Sequence, residues 1–134
     1  MKQGTVYLHL GYQFPNGKVK NKFFIILNTP RQNEFFIPCI TTSQQKWRPD
    51  REGCHDIHNV YVLRENYDFF SVNTWVLFGA NDYYPISQEL LYDYVNRGRI
   101  VKRADLRDQT IRAIINCVGR SEDISGLYWS MINR

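Results

Sequence analysis

The densest cluster of chemically able side chains in the sequence is Arg48-Pro49-Asp50-Arg51-Glu52-Gly53-Cys54-His55-Asp56-Ile57-His58. Cutting a phosphodiester without a metal needs a proton acceptor for the attacking hydroxyl, a donor for the leaving oxygen and a cation for the charge on phosphorus. Histidine titrates near neutrality and arginine grips phosphate through parallel N–H donors. Arg48, Arg51, His55 and His58 can therefore fill all three roles. The stretch equally suits a surface loop whose charges pair with one another, Asp50 with Arg51 and His55 with Asp56. Just upstream, Thr41-Thr42-Ser43-Gln44 follows an apolar run, and hydroxyls there either bind phosphate or cap a turn. Cys54-His55-Asp56-Ile57-His58 is the nearest thing to a metal site. Zinc sites pair close ligands with a distant second pair, and only Cys39 and His9 lie elsewhere, so no metal or other cofactor is expected.

The charge distribution points the same way. Net charge is +4, yet the first acid is Glu34, and residues 1–33 carry Lys2, Lys18, Lys20, Lys22 and Arg31 unopposed. A second basic stretch, Arg97–Arg112, holds six bases against two acids, and aromatic residues make up 15%. Basic runs interleaved with aromatics suit a polyanion that also stacks, namely single-stranded nucleic acid; the aromatics suit a core equally well. Arg103, Arg107 and Arg112 flank an apolar helical stripe with Asp105 and Asp108 among them, and Asp108–Arg112 has favourable i,i+4 spacing. A solvated helix face is the better reading of those three.

The elements that must position these groups follow from periodicity. The 134 residues suit one domain, and 43% hydrophobic with 22% charged is a globular balance. No apolar run reaches membrane-spanning length. The N-terminus carries no export signal and three widely spaced cysteines make no disulfide framework, so a cytoplasmic protein is expected. Strand patterns cover Thr5–Leu10, Lys22–Leu27, Glu34–Thr42, Asn59–Leu63 and Thr74–Phe78. Pro15-Asn16-Gly17-Lys18 marks a hairpin turn, Lys22–Leu27 is apolar enough to be central, and Pro38 implies an edge or a bulge. Residues 43–57 read as one long loop. After Pro85 the period turns helical: Ser87 caps a helix to about Asn96, and Asp105 opens a second one, with Asp108 as in a capping box, ending at Gly119. The expected fold is mainly β with C-terminal helices: a small, strongly bent barrel over residues 1–84, with two or three helices from residues 85–134 packed outside.

In this order of elements the chain resembles the PemK/MazF family of toxin endoribonucleases. The resemblance rests on Asn21-Lys22-Phe23-Phe24-Ile25-Ile26-Leu27-Asn28, on Cys39-Ile40-Thr41-Thr42-Ser43, and on Gly98-Arg99-Ile100-Val101, Leu106 and Ile114-Ile115-Asn116-Cys117. It implies an SH3-like barrel that cleaves single-stranded RNA, a cognate antitoxin protein that restrains it, and a homodimer. Where the family has an arginine before its apolar strand, this chain has Asn21 between Lys20 and Lys22. The resemblance then leaves the charge to Lys22 or to Arg48 or Arg51, or implies a barrel that binds nucleic acid or protein without cutting. In the cleaving form His55 or His58 moves protons and Thr41 orients the phosphate. RNA lies along Lys18, Lys20, Thr42 and Ser43, with Trp47 stacking on bases.

Overall fold

A strand covered on one face alternates apolar and polar residues; one covered on both faces does not. Phe24, Ile25, Ile26 and Leu27 are all buried, and consecutive residues enter different cores. The computed structural model, which describes residues 1–134, shows why. Nine strands and three helices run in the order β1 (Thr5–Gln13), β2 (Val19–Ile26), β3 (Phe35–Phe36), β4 (Pro38–Thr42), β5 (Gly53–His55), β6 (Val60–Leu63), β7 (Thr74–Leu77), β8 (Ile86–Ser87), α1 (Gln88–Asn96), β9 (Ile100–Asp105), α2 (Asp108–Gly119) and α3 (Gly126–Ile132). Seven strands form one antiparallel sheet in the order β5-β6-β7-β4-β2-β1-β9, and β3 pairs with β8 separately. One face of the central strands packs Val6, Ile25, Cys39 and Val76 against Ile111, Ile114, Cys117 and Val118 of α2 and Met131 and Ile132 of α3. The other packs Tyr7, Phe24, Ile26 and Ile40 against Leu91 of α1, with Phe36 and Ile100.

The mainly-β architecture with C-terminal helices is therefore present, with no hydrogen-bonded ladder joining edge strands β5 and β9. The division near residue 85 is not clean. β9 lies between α1 and α2 and pairs antiparallel with β1. Asp105 is its last residue rather than a helix cap, because its carboxylate accepts hydrogen bonds from the Thr5 hydroxyl (2.6 Å) and Lys102 (2.9 Å). α2 starts at Asp108 without a side-chain cap, and Asp108 forms no ion pair with Arg112. Ser87, by contrast, caps α1, accepting from the Leu90 N–H at 3.1 Å. The 43–57 stretch is not wholly loop, since it contains β5 and enters a 3-10 turn at Asp56–His58. Cys54 on β5 is disulfide-bonded to Cys117 on α2, 63 residues away, while Cys39 is buried and free. The odd, wide cysteine spacing concealed a pair that only the packing of α2 against β5 brings together.

Pro38 sits at neither an edge nor a bulge. It opens β4, the position where its missing N–H costs no ladder bond. The expected strand at 34–42 is broken at Ile37, and buried Asn28 bridges the break. Its amide accepts from the Ile37 N–H (2.7 Å) and donates to the Phe35 carbonyl (3.1 Å). β4 then pairs with β2 along one side. On its other side its first half meets residues 82–84, with Ile40 N–H donating to the Asp82 carbonyl and Tyr84 N–H to that of Pro38; its second half meets β7.

Two consequences are measurable. A Cβ on Gly119 would lie 2.7 Å from Cζ2 of Trp129, so Gly119→Ala should destabilise by about 1–3 kcal/mol through overpacking, read as a fall in Tm. Glu34 is held at about 2, chiefly by the Arg134 guanidinium and then by the Arg31 N–H. A depressed folded pKa contributes stability above the unfolded value and loses it as pH falls toward 2. Glu34→Gln should lower Tm by at most a few degrees at pH 7, with the difference closing as pH falls below about 4.

Candidate functional site

β2 changes character along its length, from an exposed lysine-rich arm to a fully buried segment. Period two puts Lys18, Lys20 and Lys22 on one side of that arm. Gly17 (φ +86) turns the hairpin, while at Gly11 (φ +64) a bulge interrupts the pairing and passes its N–H to the Asn21 side chain at 2.9 Å. All three lysines line one cleft of about 470 Å³, shared with Thr41, Thr42, Ser43, Lys46, Arg48, Asp82 and Tyr84.

Arg48 reaches the cleft because the chain after β4 folds back. The Arg48 N–H donates to the Gln45 carbonyl, Lys46 adopts a left-handed conformation (φ +50), and the Trp75 indole donates to the Pro49 carbonyl at 2.7 Å. One guanidinium nitrogen donates to the Gln44 carbonyl (3.0 Å), while buried Nε has no partner. Five cations thus share the cleft with a single carboxylate, Asp82, and none of the five is in a salt bridge.

The proton affinities respond to this crowding. Burial pushes the Lys22 ammonium below the ordinary lysine range, and Lys20 and Arg48 add to the effect. Lys22 also lies 6.0 Å from the Phe14 ring centroid. Burial raises the Asp82 carboxyl above the usual carboxylate range, although the Gly79 N–H (2.8 Å) and Arg48 pull it back. The result is a cleft with a reluctant carboxylate, a reluctant ammonium and a fixed guanidinium, which together can accept a proton, give one and hold an anion.

The other candidates are distributed differently. Thr41 lines the cleft but is 3% exposed, and its hydroxyl donates to the Phe23 carbonyl at 2.9 Å, so its proton is committed to holding β4 on β2. Thr42 accepts from the Gln44 N–H, leaving its own O–H available, and Ser43 is exposed. Trp47 stands out from the surface at 71% exposure beneath the Arg48 guanidinium, outside the cleft lining. Arg51, His55 and His58 do not line it either. His55 belongs to β5, at the far edge of the sheet beyond β7 and β6, where its Nε2 donates to the Arg51 carbonyl at 2.7 Å. His58 ends the exposed 3-10 turn. The sequence cluster that suggested phosphate chemistry is thus divided, with Arg48 delivered to the cleft and the histidines kept away by the β5–β6 hairpin. Asp82 escaped the sequence reading because only backbone pairing of residues 82–84 with β4 brings it to Thr42 and Lys22. Its one sequence signal is the turn text Gly79-Ala80-Asn81-Asp82 before Pro85.

Because the folded pKa of Asp82 is raised, its ionised form costs stability at neutral pH, and the cost is relieved as pH falls through that value. Asp82→Asn should therefore keep or raise Tm at pH 7, with the gain vanishing at acid pH. No protein-family model matches the chain, and no curated protein matches it.

Proposed function

We propose that the chain is a PemK/MazF-like toxin endoribonuclease that cuts single-stranded RNA in the lysine-lined cleft, and that its bent sheet is a variant of the SH3-like barrel. The observation that carries this reading is the grouping in one cleft of five cations, none in a salt bridge, with one carboxyl group of raised proton affinity. A phosphate backbone neutralises such a cluster by releasing its own counterions. In the cutting step the ribose 2′-oxygen attacks phosphorus and the 5′-oxygen leaves, giving a cyclic phosphate and a free 5′-hydroxyl. Asp82 takes the 2′ proton, Arg48 carries the charge on the phosphoryl oxygens, and protonated Lys22 supplies the proton to the leaving oxygen. Arg48 takes the place that the family arginine leaves vacant at Asn21. Thr42 and Ser43 orient the phosphate in place of Thr41. A cognate antitoxin silences the enzyme by covering the cleft, and the enzyme acts as a homodimer.

One observation favours the reading without chemistry, in which the cleft binds nucleic acid or a protein and cuts nothing. The Thr41 hydroxyl is already spent on the Phe23 carbonyl. Cleavage of varied single-stranded RNA in EDTA decides between the two. The enzyme reading expects cleavage with a bell-shaped pH profile, its acid limb set by Asp82 and its basic limb by Lys22. Arg48→Ala should lower kcat about 10²–10³-fold. Asp82→Asn should lower it about 10²–10⁴-fold and abolish the acid limb, while the double variant His55→Ala, His58→Ala should cut as well as wild type. Tight RNA binding with no cleavage at any pH would establish the second reading.

A further inference from the structure

Lys22, Thr41, Thr42 and Ser43 form a ridge. On its far side lies a second hollow of about 390 Å³, which also includes Asn21 in its lining. Its character is different. Phe23, Phe69, Phe70 and Val72 give it apolar walls, with Ser71 and Thr74 among its polar groups, and Arg103 its one cation besides Lys22. The three phenylalanines meet edge to face, Phe23 to Phe69 and Phe23 to Phe70 each at 5.6 Å and Phe69 to Phe70 at 5.1 Å. The Arg103 guanidinium lies over two of those rings, 5.8 Å from Phe23 and 5.9 Å from Phe69. Its neighbours are committed, Lys102 to Asp105 and Arg107 to Asp68, whereas Arg103 is exposed and in no salt bridge. It extends from edge strand β9 at the bulge between the Val6 and Tyr7 pairings.

We propose that this hollow receives one unstacked nucleobase of the RNA strand whose phosphate occupies the basic cleft, the base lying flat against the Arg103 guanidinium. The inference rests on the reading under Proposed function and adds where the base next to the bound phosphate goes. A guanidinium within cation–π distance of two rings that stand at 75° to each other is restrained from two directions, and its exposed side is where an extruded base stacks. The volume falls within the roughly 300–1,000 Å³ typical of small-ligand sites. The Ser71 hydroxyl stands at the edge of the base and donates or accepts by rotation, so the hollow tolerates different bases and selects for an unpaired one.

The test uses two probes: a short single-stranded oligoribonucleotide, 2′-O-methylated so that it stays intact, and the same oligomer made abasic. The intact oligomer should bind wild-type protein about ten- to a hundred-fold tighter, the worth of one stacked base. Arg103→Lys keeps the charge and loses the plane. It should bring the intact oligomer down to the abasic level, leaving abasic affinity, its salt dependence and Tm unchanged. Equal wild-type affinity for both oligomers would overturn the base site while leaving the phosphate cleft standing. An equal loss for both in Arg103→Lys and Arg103→Ala would make Arg103 a phosphate cation and likewise overturn it. Failure of wild type to bind either oligomer would overturn the cleft reading and this inference together.

Discussion

Everything in the cleft hangs on the hydrogen bonding of β4 along both of its edges. One edge is closed by β2, and the Thr41 hydroxyl adds a side-chain bond to the Phe23 carbonyl. The other edge is divided between the segment 82–84 and β7. A strand paired on both sides cannot slip by one residue without reversing every side chain between the two cores, so β4 has one register. That register sets Lys22 on one flank, Asp82 on the other, and Thr42 and Ser43 between them.

The cleft also opposes the stability of the fold around it. Lys22 is half-buried beside Lys20 and Arg48, and Asp82 is half-buried with only Arg48 as a charged neighbour. Asn28 and Glu34 are better satisfied: Asn28 is fully buried yet has two backbone partners, and Glu34 and Arg134 are bonded through two oxygens. Charges held without counter-ions near a surface repel each other modestly in water and more strongly when half-desolvated. A polyanion relieves that repulsion on binding. Part of the stored unfavourable energy therefore lies at the site, as expected where function opposes stability.

Local text made the local features legible. The Asn16-Gly17 hairpin, the lysine arm, the central placement of residues 22–27 and the Ser87 cap all depend on residues within a few positions of one another. What escaped depends on distant partners. Asp105 reads as the start of a helix until β1 offers Ile100–Asp105 an edge. Cys54 and Cys117 read as unrelated until α2 packs on β5. Asp82 reads as a turn residue until its backbone pairs with β4. The His55–His58 cluster shows the converse, since adjacency in sequence to Arg48 does not carry these residues to its location. Residues 49–52 are enough to carry the chain from the cleft beside central β4 to the β5 edge of the sheet.

The position of the cleft follows from where burial stops. β2 passes from polar and exposed at Val19–Asn21 to wholly enclosed at Phe24, with Lys22 and Phe23 on the boundary. At that boundary side chains still alternate between the two faces, but Lys22 and Phe23 are only half-buried. One face therefore ends in Lys22 and the cationic cleft, and the other in Phe23 and the aromatic hollow beneath Arg103. A single strand running out of its cores thus yields a charged half-site and an apolar half-site back to back. Those are the two chemistries, phosphate and base, that alternate along a single-stranded nucleic acid.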